Sequence, residues 1–349
     1  MRNNKGSALL LVLVSITFMI MISSLITTRF NRAYFVVNNN MMHSKARWYV
    51  DGIEGVIKKY MRDEFNKNKE KIHAQMVWAQ PDQVIPMDEA IITGNVVDEM
   101  SCINLNGLLA NSGKQDGTNG QQQEDPLFAT FKYPALVFKN LLEIMGADEQ
   151  LAEKIVASSI DWIDTDSNTY TAHGAEDHHY SNNNVMPHLA NNYRFYDKTE
   201  LRQIHGMTDE LYRRIEHMVC ALPNNEFKIS VNLMDKRYSP LISALMLKEI
   251  SVEDAARILE ERPDKGWNSA NDFIAISSVN DRLSNVSGLR NHLANSIVVN
   301  SNYFLANIIV SFENEKFAFK TRFFRNDSNT LSVYQRLVGE LYEWLSIFL

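Results

Sequence analysis

Between Asp161 and Asp177 the chain reads Asp161-Trp162-Ile163-Asp164-Thr165-Asp166-Ser167-Asn168 and then, a few residues on, Glu176-Asp177. Carboxylates placed this close repel one another unless a cation lies among them. Oxygen ligands at alternate positions, as at Asp164, Asp166 and Asn168, suit calcium, which takes about six to eight hard oxygens. The expected ligands are Asp161, Asp164, Asp166, Glu176 and Asp177, with Asn168 or backbone carbonyls completing the shell, in a structural role and not all necessarily on one ion. The alternative is a solvated acidic loop whose Asp residues cap turns and helices. His173, His178, His179 and His188 raise zinc as a competitor. Structural zinc sites usually carry cysteine, however, and these histidines lack the spacing of a helical metal pair. A glycosidase-like acid pair needs carboxylates in opposed environments, and nothing in the sequence provides them. Without a Gly-rich phosphate loop, a nucleophile elbow or a Cys-His pair, the chain reads as a non-enzyme.

The loop must be held by helices. From 126 to 223 the pattern is helical, with Phe138, Leu141, Leu142, Met145, Leu151, Ile155 and Ile160 recurring near every third and fourth position. Thr208 is an N-cap for a further helix, with acids in its first turn. Residues 110–125 are Gly, Asn, Gln and Ser with almost nothing apolar, the composition of a flexible linker. Strands are expected at Ala90–Val97, Ser101–Asn106, Lys228–Leu233, Ser296–Val299, Tyr303–Phe312, Phe317–Phe324 and Leu331–Leu337. Helices fit Pro240–Leu247 and Ser251–Glu261. Lys248 to Leu259 is similar to part of a helix-hairpin-helix but lacks its glycines and any basic surround, so packing is favoured over DNA binding. A helical block between strand segments reads as an insertion into one domain. Cys102 and Cys220 lie near the two ends of that block; if it enters and leaves its host at adjacent points, a disulfide ties the neck, and two buried free thiols are the alternative.

The rest hangs from the N-terminus. Ser7 to Thr28 contains no charge, Pro or Gly, and as a helix it is about 30 Å long, enough to cross a hydrocarbon core. Ser23-Ser24 offers only a weak secretory cleavage site. Thr27, Phe30, Tyr34, Val37, Met41, Trp48, Ile53, Val56, Ile57 and Tyr60 can share one side of a helix that runs on into a soluble domain and ends near Asn66 to Lys69. The charged leader ending in Lys5-Gly6 resembles that of a type IV prepilin. The resemblance implies cleavage by prepilin peptidase after Gly6 and an N-methylated Ser7.

At 349 residues with 45% hydrophobic content, the chain can bury a sizeable core in more than one domain. Net charge is −7 and basic tracts are short, which disfavours nucleic acid as a partner. Two cysteines exclude a disulfide scaffold and leave room for one bridge in an oxidising compartment.

Taken together, the leader ending at Gly6, Ala46-Arg47-Trp48-Tyr49, Ile103-Asn104-Leu105-Asn106, Asp161-Trp162-Ile163-Asp164 and Gly174-Ala175-Glu176-Asp177 resemble the minor pseudopilin K family of the bacterial type II secretion system. Glu200-Leu201-Arg202, Gly206-Met207-Thr208, Val231-Asn232 and Arg257 to Pro263 continue the likeness in the family's order. It implies an α+β, type IV pilin-like fold: a long N-terminal helix on an antiparallel sheet, with a large inserted α-helical domain. The expected division is leader 1–6, transmembrane helix 7–28, pilin-like part 29–109, linker 110–125, insertion 126–223 and second pilin-like part 224–349. The resemblance further implies bound calcium, a single-pass inner-membrane subunit with its soluble part in the periplasm, and minor pseudopilins I and J as partners at the pseudopilus tip. There it would prime assembly and support export of folded proteins; contact with secreted cargo stays open. Leu233-Met234-Asp235 departs from the family's usual Asn-Thr-Ala, and the linker is long. Leu11 stands where most pilins carry a Glu that pairs with a neighbour's N-terminus in the bilayer. A tip subunit has no neighbour above it, so an apolar residue avoids an unpaired charge in lipid. The alternative function is a membrane-anchored periplasmic hydrolase using the acidic loop.

Overall fold

The computed structural model describes residues 5–68, 71–81, 83–110, 126–182, 187–313 and 315–339. Leader residues 1–4, most of the linker and the apolar C-terminal end lie outside the described residues. Helix α1 runs without interruption from Lys5 to Lys67. Its first part holds a window of mean hydropathy 2.7, none of it buried. Ser15, Thr17, Thr27 and Thr28 donate their hydroxyls to carbonyls four residues earlier, so these four donors are satisfied within the helix.

The second part of α1 lies on a five-stranded antiparallel sheet, ordered β1 (Gln83–Pro86), β2 (Ile91–Asp98), β7 (Tyr303–Ser311), β8 (Lys316–Arg325) and β9 (Leu331–Gly339). Alternation along β7 and β8 sets the packing. Phe304, Ala306, Ile308 and Val310, with Phe317, Phe319 and Phe323, meet Ala46, Val50, Ile53, Met61 and Phe65 of the helix. Glu54 is buried in this seam. It accepts from Thr321 Oγ1 (2.8 Å) and from Arg336 Nε and Nη2 (2.8 and 2.6 Å), so the one acid on the buried face is paired. The expected apolar stripe is split between two sides of α1. Ile53 and Ile57 pack on the sheet, whereas Phe30, Tyr34, Val37, Met41, Trp48, Val56 and Tyr60 are exposed. Up to residue 41 the helix has almost no packing partner among the described residues; beyond it, the seam opens with small Ala46 on the opposite side.

Everything between β2 and β7 is the insertion, which is wider than 126–223. The elements are β3 (Ile103–Asn104), α2 (Tyr133–Ile144), α3 (Glu149–Ile163), α4 (Asp177–Ser181), α5 (Asp209–Ile215), β4 (Val219–Cys220), β5 (Ile229–Ser230), α6 (Ser239–Leu245), α7 (Val252–Glu260), α8 (Ala270–Ile274), α9 (Ser277–Asn280), α10 (Leu289–Ser296) and β6 (Ile297–Val298). One hydrophobic core runs through it from Ile103 to Val299. The helices after 224 therefore belong with the inserted unit and not with the pilin sheet: α6 packs on α2, and α7 on α6. The turn joining α6 to α7 is made by Leu247 and Lys248 at φ 51° and 68°, without the expected hairpin glycines.

Two short parallel pairs, β3 with β4 and β5 with β6, tie the first and last residues of the insertion to its middle stretch around Val219 to Ser230. Cys102 and Cys220 form a disulfide beside the β3–β4 pair, linking the start of the insertion at the neck to that middle stretch, with Cα atoms 5.9 Å apart. Beside it Asn104 and Asn106 act as hydrogen-bond hubs. Asn104 donates to the carbonyls of Asn224 and Glu226 and accepts from Leu222 N–H; Asn106 donates to Phe195 and Leu222 carbonyls. These buried amides satisfy backbone groups that no regular ladder reaches.

Candidate metal centre

Helix α3 delivers the acidic loop. Asp148 caps its N-terminus, its side chain accepting Leu151 N–H at 2.8 Å, and its last turns bury Ile160, Asp161 and Trp162. The helix stops at Asp164, whose extended backbone turns the chain away. Asp166 then folds the loop back on itself: its Oδ1 accepts the backbone N–H of Asn168 at 2.8 Å and the Asn168 side-chain amide at 3.0 Å.

The structure sorts the expected ligands into two groups. Asp164, Asp166 and Glu176 each offer an oxygen, and those atoms lie within 4.8 Å of one another. Asp161 and Asp177 are instead committed to backbone. Asp161 is fully buried and accepts Tyr170 N–H at 2.6 Å and Ala175 N–H at 2.7 Å. Asp177 accepts Ala190 N–H at 2.8 Å. Their geometry makes them loop holders: Asp161 ties the 170–175 return to α3, and Asp177 ties down the segment at Ala190. Gly174 is required at this point, because a Cβ there would collide with the Asp161 carboxylate. Asn168 stands beside the trio through Asp166.

Electrostatics single out Glu176. It is 6% exposed, and among the described residues neither of its oxygens has a hydrogen-bond partner; Asp164 Oδ1 is buried in the same condition. Although Glu176 precedes α4 at the N-cap, its side chain does not cap that helix. Burial, then repulsion from Asp161 and Asp164, pushes its pKa up to about 7. Asp164 is raised to about 6 by burial and by Asp166 and Asp161. Asp161 is raised to about 6 by burial, against the pull of its two N–H donors. Buried carboxylate oxygens without donors are costly. A cation between Asp164, Asp166 and Glu176 would remove that cost, and an all-oxygen donor set fits calcium rather than zinc. The histidines do not join the group. His188 packs on Trp162 and Tyr180, His178 bonds Asn182, and His179 lies against His205.

Sequence reasoning missed the neighbours that seat this loop. Trp162 Nε1 donates to Glu200 Oε2 at 3.3 Å, and Glu200 with Asp197 forms a capping box at the 3-10 helix Lys198–Gln203. The Asp-x-x-Glu spacing of Asp197 and Glu200 was a usable signal for that helix start.

Comparison with known proteins agrees with this architecture. Sequence profiles described as type II secretion system, protein K, match residues 101–224 and 229–299. The type II secretion system protein K of Dickeya chrysanthemi is 32% identical over 97% of this chain and 98% of its own length. That of Aeromonas hydrophila is 30% identical over 97% of this chain and 98% of its own. In the crystal structure of the GspK-GspI-GspJ complex from the enterotoxigenic Escherichia coli type 2 secretion system, a 25% identical chain superposes with a TM-score of 0.75, covering 87% of this chain and 99% of that one.

Proposed function

Since the chain belongs to the type II secretion system protein K family of minor pseudopilins, we propose that it is the non-enzymatic subunit at the tip of the pseudopilus. In this reading it sits beside minor pseudopilins I and J, primes assembly, and supports export of folded proteins across the outer membrane. The observation that carries the reading is the likeness, over 87% of this chain, to a chain of the solved GspK-GspI-GspJ complex. The long helix supports it: α1 carries an exposed apolar segment long enough to cross a bilayer, and in this reading that segment lies in the inner membrane with the head in the periplasm. Prepilin peptidase cuts after Gly6, and Ser7 becomes the methylated N-terminus. Leu11 leaves no buried charge without a neighbour to pair it.

Calcium is structural in this reading. Held by Asp164, Asp166 and Glu176, it lets the carboxylates converge and fixes the ends of α3 and α4. The hydrolase alternative has no support in the geometry. An acid and a base need environments that push their pKa values apart, and here Asp164 and Glu176 are pushed the same way.

Leader processing tests the assignment. N-terminal sequencing of the protein from membranes should begin at methylated Ser7, and Gly6→Val should leave it beginning at Met1. A wild-type N-terminus at Met1, or after Ser24, contradicts the pilin reading.

A further inference from the structure

A continuous run of polar contacts leads from the acidic loop to the pilin sheet. It begins at Trp162, between Asp161 and Asp164 in the chain and 4% exposed. The indole N–H donates to Glu200 Oε2, and the Trp162 carbonyl accepts Tyr193 N–H, both at 3.3 Å. Glu200 Oε1 accepts the N–H groups of Tyr196 and Asp197 at 2.8 and 3.0 Å. Asp197 in turn uses Oδ1 for Thr199 N–H (3.0 Å) and Oδ2 for Arg322 Nη2 (3.2 Å). Arg322 is on β8, on the face turned away from α1, and its side chain is 8% exposed. It also donates to Glu99 Oε1 at 2.9 Å and to Gln335 Oε1 at 2.6 Å. The β8–β9 register shifts between Arg322 and Phe323, which leaves Tyr334 without a partner in the ladder; its hydroxyl donates to Glu99 Oε2 at 3.2 Å. A bulge here re-aims a side chain.

We propose that the Trp162–Glu200–Asp197–Arg322 chain couples cation binding in the acidic loop to the seating of the inserted unit on the pilin sheet. The proposal rests on the cation reading given above. Its physical basis is the sharing of rigid parts. The turn of α3 that carries Asp161 and Asp164 also carries Trp162, so repulsion that spreads the loop also displaces the indole. Loss of the indole donor leaves Glu200 holding the capping box alone, and the capping box positions Asp197 against Arg322. Each junction involves a charged partner, and such hydrogen bonds are the strong ones. Arg322 is a positioning residue in this account.

Hydrogen exchange of the full-length chain in detergent micelles, with calcium and with chelator, tests the proposal. In the wild type, chelation should speed exchange of the 164–177 loop. It should also speed exchange of residues 196–203 and 331–336 by about fivefold or more, the lower end of ordinary site-to-site coupling. Trp162→Phe keeps the ring packed against Phe195 and Tyr180 but removes the N–H. Calcium should still protect the loop in this variant, while 196–203 and 331–336 no longer respond. Asp197→Asn cuts the run one junction later and should silence 331–336 while residues 196–200 still respond. If calcium fails to protect the loop in the wild type, the cation reading falls and the coupling with it. If the loop is protected but the distant segments do not respond, or respond equally in Trp162→Phe, the coupling is refuted and the cation reading stands.

Discussion

Removing calcium should make this protein less stable as pH rises through neutrality, opposite in sign to the usual behaviour of paired carboxylates. In the cation-free loop, burial and the neighbouring Asp161 and Asp164 lift Glu176 from 4.5 to about 7. A carboxyl group raised in this way binds its proton more tightly folded than unfolded. Its contribution is therefore fully present below the unfolded pKa and is lost as pH rises through the folded one. At about 1.4 kcal/mol per pKa unit, the Glu176 shift corresponds to an upper limit of about 3 kcal/mol. The shifts of Asp161 and Asp164 share the same mutual repulsion and do not add in full. For a unit of this size about 1 kcal/mol moves the melting temperature by about 2–4 °C, so the drop is at most about 6–12 °C between about pH 5 and pH 7.5. Asp98 and Glu99 at the neck are also held above the usual carboxylate range, chiefly by burial, so the quantity to read is the difference from Glu176→Gln. Scanning calorimetry in chelator should show the drop in the wild type and a shallower one in the variant. Saturating calcium should restore about 3 kcal/mol at about a hundredfold excess over its dissociation constant, in the wild type only. A wild-type melting temperature that is flat or rising across this range in chelator, or that ignores calcium, would falsify the assignment of the loop.

Two other perturbations follow from the fold. The Cys102–Cys220 bridge spans a sequence separation of 118, so replacing both cysteines by Ser should cost up to about 4–5 kcal/mol on the chain-entropy account; a denaturant midpoint unchanged by reduction would speak against that role. Arg336→Ala strands the buried Glu54 carboxylate with Thr321 as its one remaining donor and should destabilise by about 2–3 kcal/mol. Arg336→Ala combined with Glu54→Gln should recover part of that loss in the same denaturation assay, and no recovery would contradict the pairing.

The sequence revealed what depends on period and spacing. The strands β7, β8 and β9 alternate apolar residues cleanly, α1 is a continuous run without breakers, and the acidic loop announces itself by composition. What it concealed depends on tertiary partners. Phe30, Tyr34, Val37, Met41 and Trp48 share one side of α1 as periodicity requires, yet periodicity cannot tell an inward face from an outward one, and here they face out. The helices after 224 look separable in sequence because strand-like Lys228–Leu233 precedes them. Only the shared core with α2 and α3 joins them to the insertion. Within the loop, Asp161 and Asp177 are chemically indistinguishable from Asp164 in a string of letters. Their backbone N–H partners, Tyr170, Ala175 and Ala190, come from segments whose approach is set by folding. Arg322 left no local signal, since its three partners are drawn from 99, 197 and 335.

The tip assignment stands on assembly, and co-expression of the head, from after Arg32, with the heads of minor pseudopilins I and J tests it most directly. Size-exclusion chromatography with light scattering should yield one complex holding a single copy of each chain, and Asp164→Ala with Asp166→Ala should weaken the complex without affecting leader cleavage in cells. A head that elutes as a monomer beside folded I and J, with calcium present, contradicts the account.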